Sequence, residues 1–179
     1  MSKASLKKEL MSLDHDQLVE VILNAYSSSK EAKEYFEFFL NPDADTLLEK
    51  KTDIIAKELN RTRRGYSKAR ISAIRNTIRD FAAYGPGDEY VYRLMLDTIR
   101  MIVGMERYIH YPDALNNGVI RLTADFTALA DGMEAAGQAC ADLERMNDDN
   151  IGRPYFREKV LHAARLAIHD ISSAQKSKK

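Results

Sequence analysis

The sequence predicts an all-α fold: a single domain of about six or seven helices in an antiparallel bundle or an irregular helical array. Three observations favour this class. Apolar residues recur at the i, i+3, i+4, i+7 spacing of amphipathic helices through most of the 179 residues. Capping residues precede these stripes and Gly or Pro ends them. No segment alternates as a strand does. We expect one domain over residues 1–179, with flexible ends at 1–12 and 175–179.

The composition is that of an ordinary globular chain. Apolar residues make up 45%, Lys plus Arg and Asp plus Glu number 27 each, and Cys140 is the single cysteine. These values exclude collagen-like, disulfide-rich and wholly disordered proteins. The sequence has no run of 18 apolar residues and no apolar leader segment, so we expect a cytoplasmic protein that does not enter a membrane.

Three helices are predicted before residue 60. Asp14 and Gln17 have the capping-box spacing at the start of the first helix, and Ser28 and Glu31 repeat it at the second. Pro42 ends the second helix, and a third follows it. The first two helices carry the apolar stripes Leu18, Val21, Ile22, Ala25 and Tyr26, and Ala32, Tyr35, Phe36, Phe39 and Leu40.

Four further helices are predicted after residue 60. Ser67 is placed to cap the first of them, and Asp88 to cap a longer one that ends near Pro112. Apolar residues from Val119 to Leu143 are spaced alternately by three and four, which predicts one long helix with a heptad seam. Pro154 suits the first turn of the last helix.

The heptad seam offers a surface to another helix of the same chain or of a second chain. We therefore expect a homo-oligomer, in the simplest case a homodimer, or a different protein partner. Contact is predicted through this seam or through the aromatic helix Tyr35–Phe39. The predicted interface residues of the seam are Val119, Leu122, Phe126, Leu129, Met133 and Ala136.

The basic segment at residues 60–79 is the sharpest functional signal. It holds seven basic and no acidic residues, whereas residues 80–150 carry a net charge of −8. Arginine side chains and the first turn of a helix both favour phosphate or carboxylate. The alternative is that these arginines pair with the acidic helices of the same chain or of a partner. The candidate anion-binding or nucleic-acid-binding residues are Arg61, Arg63, Arg64, Ser67, Lys68, Arg70, Arg75 and Arg79.

Signals for catalysis, cofactors and metals are missing from the sequence. The chain has no nucleophile elbow, no phosphate-binding loop and no dinucleotide fingerprint. His162 and His169 lie two helical turns apart, about 10 Å along the axis, which is too far for one metal ion. Cys140 occupies a seam position and is expected to be a packed apolar residue. We therefore predict no catalytic residue, no metal ligand and no cofactor.

Three segments resemble a family of small uncharacterised bacterial cytoplasmic helical proteins, a domain of unknown function. They are SKASLKKELMSLDHDQLVEVILNAY at the start, YFEFFLNPD at residues 35–43 and GYSKARISAIRNTIRDFAAYGP at residues 65–86. The resemblance covers roughly residues 2–110. It implies a bacterial, helical, soluble protein, and it implies no activity and no catalytic residues.

The sequence thus predicts a non-enzymatic helical module for protein interaction or scaffolding. The absence of a catalytic motif and the predicted helical surfaces favour this role. The alternative is a protein that binds nucleic acid or a phosphate ligand through the basic turn and helix at residues 61–79. Its affinity would fall steeply with salt, because each phosphate contact releases counterions.

Overall fold

The computed structural model describes residues 2–176, with side chains up to Ser173. These residues form nine helices and one two-stranded sheet, so the all-α class is confirmed, but the helix number of six or seven is wrong. The helices are α1 (Lys3–Leu10), α2 (His15–Ser28), α3 (Lys30–Leu40), α4 (Ala44–Leu59), α5 (Ile71–Ala83), α6 (Asp88–Glu106), α7 (Asp113–Gly132), α8 (Ala136–Asp148) and α9 (Pro154–Lys176). The strands are β1 (Thr62–Arg63) and β2 (Tyr66–Ser67).

One of the two additional helices is α1, in a segment expected to be flexible. The Ser2 hydroxyl accepts a hydrogen bond from the Ser5 amide at 3.1 Å, and the Ser5 hydroxyl accepts one from the Ser2 amide, also at 3.1 Å. This is a capping box with serine in the place of the usual Glu or Gln. The other end predicted to be flexible is residues 175–179. The backbone of α9 continues to Lys176, and residues 177–179 lie outside the described part.

The other additional helix arises because the predicted helix from Val119 to Leu143 breaks in two. Helix α7 ends where Glu134 adopts a left-handed backbone with φ of 58°. The Ala135 amide donates to the Ala130 carbonyl at 2.7 Å, and the Glu134 amide donates to the Asp131 carbonyl at 2.9 Å. These two bonds form a Schellman motif, which Gly normally closes. This helix end has no visible signal in the sequence, because Glu134 occupies the position that Gly normally takes.

The chain divides into two compact units, one ending at Asp43 and the other beginning at Ala44. In the first unit, the Asp14 carboxylate accepts from the Gln17 amide at 2.8 Å, as predicted. Helix α3 is capped by Ser29, which accepts from the Ala32 amide at 3.1 Å, so the cap lies one residue after the predicted Ser28. No residue from 2 to 43 is buried.

The second unit holds the hydrophobic core. Its centre is formed by apolar side chains of α4 to α9 that have no measurable exposure, among them Ile55, Phe81, Ile99, Phe126, Leu143 and Val160. Lys51, which interrupts the apolar stripe of α4, is also buried, with its ammonium 4.8 Å from the centre of the Tyr84 ring. Gly118 permits a close crossing, because a Cβ there would lie 2.3 Å from Cγ1 of Ile71. Helix α9 begins at Pro154, as predicted.

Strands β1 and β2 form a short hairpin where the sequence predicted only a turn before a helix capped by Ser67. Helix α5 instead begins at Ile71, and no side chain caps it. The Ser67 hydroxyl accepts from the Ala69 amide at 3.1 Å within the hairpin region. Helix α6 also differs, since it follows Gly87 and ends at Glu106, before Pro112.

In the part of the chain that the structure describes, none of the helices combines the length and the apolar character that a membrane span requires.

Candidate functional site

The hairpin presents one face to the protein and the other to solvent. Thr62 pairs with Ser67, and Arg63 pairs with Tyr66. Directly paired residues of two strands project to the same face, and neighbours along a strand project to opposite faces. Ser67 is 5% exposed, whereas Tyr66 is 59% exposed. Arg63 and Tyr66 therefore share the outer face.

The turn of the hairpin consists of two residues with left-handed backbones. Arg64 has φ of 54° and Gly65 has φ of 79°. Positive φ at both central residues is the signature of a type I′ turn, which favours Asn and Gly. The turn stands clear of other elements, since a Cβ on Gly65 would meet nothing within 4 Å. Arg64, at the tip of the turn, is exposed to solvent.

A single carboxylate on α4 clamps the base of the hairpin. Oε1 of Glu58 accepts from Nη1 of Arg61 at 2.8 Å, from the Arg70 amide at 2.8 Å and from Nε of Arg70 at 3.0 Å. Burial raises the pKa of Glu58, but hydrogen bonds from Arg70 and Arg61 outweigh it, and the net pKa lies below its ordinary value. Arg61 and Arg70 therefore hold the hairpin in place, and the single Glu58 carboxylate offsets one of their two positive charges.

The hairpin is also fixed to the segment that follows α6. The Ser67 amide donates to the His110 carbonyl at 3.1 Å, and the Tyr66 ring meets the His110 ring edge-on at 5.7 Å. The next residue, Tyr111, is buried and donates its hydroxyl hydrogen to the Ile102 carbonyl at 2.9 Å. Burial raises the pKa of Tyr111, so the phenol stays protonated. The hairpin is therefore attached both to α4 and to the segment that follows α6.

The structure separates the predicted anion-binding residues into two groups. The first group is already paired or buried, and it includes Arg61 and Arg70, which Glu58 holds. Arg75 pairs with Asp125 on α7, and Nε of Arg79 lies 3.9 Å from Oδ1 of its neighbour Asp80. Ser67 is buried in β2. The acidic partners of Arg75 and Arg79 lie in residues 80–150, as the alternative predicts, whereas Arg61 and Arg70 pair with Glu58 on α4, outside that acidic segment.

Three basic residues of the segment form the second group. Arg63, Arg64 and Lys68 are exposed, and within the described residues they form no ion pair. The Lys68 amide donates to the Arg61 carbonyl at 2.7 Å, so its backbone is part of the hairpin base. We call Arg63, Arg64, Tyr66 and Lys68 the hairpin face.

A shallow groove runs beside Arg75 on α5. One hollow of about 480 Å³ is lined by Arg75, Arg79 and Asp125, among others, and a second of about 400 Å³ lies beside Arg121. The ion pair between Arg75 and Asp125 already satisfies the arginine that both hollows share. The groove therefore offers fewer free charges than the hairpin face.

The first unit displays an extensive apolar surface. Tyr35 stacks on Phe39 with ring centres 6.4 Å apart, yet Phe39 remains 66% exposed. A hollow of about 770 Å³ between α1 and α2 is lined mainly by apolar side chains, with Lys3 and Lys7 at its edge. We call the exposed apolar side chains of this unit the N-terminal apolar surface: Leu6, Met11, Val19, Val21, Ile22, Leu23, Tyr35, Phe39 and Leu40.

The predicted seam interface lies mostly inside the second unit. Val119, Leu122 and Phe126 are no more than 2% exposed and belong to the core. Leu129, Met133 and Ala136 are half-buried around the connection between α7 and α8. The seam therefore faces helices of the same chain, while the aromatic helix that includes Tyr35 and Phe39 keeps an exposed face.

A polar network joins α6 to α8 without a sign of catalytic use. The Tyr92 hydroxyl donates to Oδ2 of Asp142 at 2.6 Å, and Oδ1 of Asp142 accepts from Gln138 and Arg145 at 2.8 and 2.7 Å. Both carboxylate oxygens are satisfied, so the network is structural. The sequence showed the helical neighbours of Asp142, but it did not show Tyr92, which lies 50 residues earlier.

Nucleophilic and metal-binding side chains add little to the site. Cys140 is half-buried, and burial together with the charge of Glu144 raises the pKa of its thiol. A thiol with a raised pKa is a weak nucleophile at neutral pH. Within the described residues, no three His, Cys, Asp or Glu side chains are grouped so that they could hold a metal ion.

Comparison with known proteins gives one match. A family model described as a family of unknown function, DUF6155, matches residues 1–110. No curated protein and no solved structure matches the chain.

Proposed function

We propose that this chain, which belongs to the DUF6155 family of unknown function, is a protein-interaction module that self-associates through the N-terminal apolar surface. One observation carries the proposal. The first unit contains no buried residue, yet it displays nine of the fourteen large apolar side chains that are exposed in the described part of the chain. A concentration of exposed apolar side chains in one unit is typical of a site that another protein covers.

The apolar arc of α2 is wider than one neighbouring helix requires. At 100° per residue, the positions from Val21 through Leu18 to Leu23 span about 200° of the helix circumference. Only Leu18, Ala25 and Tyr26 of this arc are half-buried. A helix that packs on a single neighbour needs an apolar stripe only about half as wide. The remainder of the arc is therefore available to a second chain.

The area and the charges of the first unit fit a second copy of the same chain. From their exposed fractions, the nine side chains present roughly 900 Å², against about 800 Å² per partner in a stable interface. Helix α1 carries Lys3, Lys7 and Lys8, whereas the start of α2 carries Asp14 and Asp16. In a two-fold dimer the same patch meets itself, so a basic helix and an acidic helix on one unit can pair reciprocally.

Molar mass measured by light scattering between about 1 and 200 µM tests the proposal. We expect a dimer for the wild type and a monomer for Leu23→Glu/Phe39→Glu, with the same helical circular dichroism. The matched control is Leu166→Glu/Tyr155→Glu, which places the same charges on exposed apolar positions of the second unit and should stay dimeric. A wild-type monomer at the highest concentration would refute self-association, and so would a dimer that the Leu23/Phe39 variant leaves intact.

A second role is binding of a phosphate-bearing ligand by residues 61–79. Within this segment, only the hairpin face supports it. Its three cations are exposed and have no acidic partner in the described part of the chain, whereas the other arginines of the segment are paired. Binding of polyphosphate that weakens with salt would support this role, and it should be lost in Arg63→Ala/Arg64→Ala. The absence of binding at low salt would exclude it.

A further inference from the structure

We propose that the hairpin face binds single-stranded nucleic acid, with Arg63, Arg64 and Lys68 contacting phosphates and Tyr66 stacking on a base. The proposal rests on the second role above and specifies its ligand. Sites for single strands combine a basic surface that follows the backbone with aromatic rings on which bases stack. The hairpin face supplies both parts on one small element.

Strand geometry brings these side chains together. Arg63 and Tyr66 are direct cross-strand partners, and side chains at such positions start about 5 Å apart on the same face. Lys68 directly follows β2, and its amide donates to the Arg61 carbonyl at 2.7 Å, which continues the pairing by one residue. With the alternation of β2 continued to this residue, we infer that the exposed Lys68 side chain lies on the same face as Tyr66. Phosphates along a single strand are spaced by several ångströms, so neighbouring phosphates can reach different cations while one base lies over the ring.

The backbone conformation of Arg64 does not favour arginine, so the turn itself does not account for this residue. A left-handed backbone disfavours residues other than Gly, Asn and Asp. Asn would suit this position of the turn better and would complete the Asn-Gly pair that such hairpins prefer. The chain instead places an exposed cation at the tip of the hairpin. A strained residue with an exposed charge is the pattern expected of a binding position.

The support of the hairpin lowers the cost of binding. Glu58 holds the residues on both sides of the hairpin, and His110 holds β2 through its carbonyl. A surface that is already ordered loses little conformational entropy when a ligand binds. Glu58 is also satisfied by its two arginines, so its carboxylate does not compete strongly for the three free cations.

A single strand fits this surface better than a duplex does. A duplex hides the faces of its bases, which leaves Tyr66 without a stacking partner, whereas a single strand exposes them. Duplex-binding domains also carry a broad basic surface, and this chain has no net charge. Three cations and one ring match a short stretch of two to three nucleotides.

Fluorescence anisotropy with labelled 12-mers of uridine and of thymidine tests the proposal on the full chain, with a duplex, polyphosphate and a polyglutamate peptide as separate probes. Three phosphate contacts predict a slope of log affinity against log salt of about −2. The affinity for either single strand should then fall about 20-fold between 50 and 200 mM salt. We expect both single strands to bind more tightly than the other three probes.

Two substitutions separate the charge from the ring. Arg64→Gly removes one cation and suits the left-handed backbone, so it preserves the fold while making the slope shallower by about 0.7. Tyr66→Leu should weaken binding at least about fivefold without changing the slope, because stacking does not release counterions. Arg121→Ala, which removes an exposed cation on α7 without an ion pair in the described residues, is the control and should leave affinity and slope unchanged.

Each outcome decides between the general role and the specific ligand. Equal binding of polyphosphate and single strands, with no effect of Tyr66→Leu, would overturn the proposal but retain anion binding. Tighter binding of the duplex or of the acidic peptide would also overturn it. No binding of any probe at 50 mM salt would overturn both the general role in anion binding and the specific ligand. If Arg121→Ala lost as much affinity as Arg64→Gly, the charge of the whole surface, and not the hairpin face, would attract the ligand, and the proposal would be wrong.

Discussion

Replacement of Glu58 by glutamine tests whether one carboxylate holds the basic hairpin in place. The Glu58 side chain is 12% exposed, whereas Arg61 and Arg70 are 47% and 64% exposed. A shielded hydrogen bond to a charged group contributes about 1.5–3 kcal/mol, and an exposed ion pair about 0.2–1 kcal/mol. Because the carboxylate is shielded but both arginines reach solvent, we expect a loss of about 1–2 kcal/mol at pH 7. This corresponds to a fall in Tm of about 3–6 °C for a chain of this size.

The pH dependence of this loss identifies the charge of Glu58 as its cause. Burial raises the pKa of Glu58, but hydrogen bonds from Arg70 and Arg61 bring the net pKa below its ordinary value. A group whose pKa is depressed by folding stabilises the protein fully above its unfolded pKa of about 4.3. That contribution disappears as the pH falls through the lower, folded pKa. The difference between wild type and Glu58→Gln should therefore be largest near pH 7 and shrink as the pH falls below the unfolded pKa and through the lower, folded one.

Urea unfolding followed by circular dichroism at a series of pH values measures this difference directly. Other titrating groups are the same in both proteins, so their effects cancel in the comparison. Hydrogen exchange at the Lys68 amide gives a local readout, because its bond to the Arg61 carbonyl closes the hairpin base. No difference at pH 7, or a difference of the same size at low pH, would refute the proposed clamp.

Three further predictions concern packing, the turn and the two units. Gly118→Ala should lower stability by about 1–3 kcal/mol in thermal unfolding, since the new Cβ would lie 2.3 Å from Cγ1 of Ile71. Ile71→Ala in the same chain should restore part of the loss, and stability losses of the two substitutions that simply add up would contradict the contact. Arg64→Asn should raise stability by about 0.5–1 kcal/mol in urea unfolding, because Asn tolerates the left-handed backbone, and a loss would argue against a type I′ turn. A fragment of residues 44–179 should keep cooperative unfolding, because it contains every residue that is buried in the described part of the chain; a fragment that unfolds without cooperativity would show that the first unit is needed.

Local patterns predicted the helices whose limits are set by neighbouring residues. The cap of α2 by Asp14 and the start of α9 at Pro154 are as expected, because the groups that make them lie within one helical turn. The hairpin could not be found in this way. Each strand has two residues, fewer than an alternation needs to be visible, and β2 is held by His110, more than 40 residues later.

The candidate site was predicted in part for the same reason. Clustered charge located the basic segment, but only tertiary contacts show which arginines are already paired. Arg75 finds Asp125 across 50 residues, and Arg61 and Arg70 meet at Glu58 on the preceding helix. The seam containing Val119 was correctly identified as apolar, yet periodicity does not distinguish a helix of the same chain from a partner. The tertiary contacts show that Arg61, Arg70, Arg75 and Arg79 are paired, whereas Arg63, Arg64 and Lys68 form no ion pair within the described residues.

Both proposed surfaces lie inside the segment that matches the family, and the part of that segment that holds the hairpin packs against the helices that follow it. The match ends at residue 110, the residue whose carbonyl holds β2. The next residue, Tyr111, packs against Phe156 of α9 with ring centres 6.3 Å apart, and Tyr92 of α6 packs against Phe126 of α7 at 4.7 Å. Helices α7 and α9 therefore complete the core that fixes the hairpin. A chain cut at residue 110 would keep the cations and the ring of the hairpin face, but it would lose the packing that orders them before a ligand arrives.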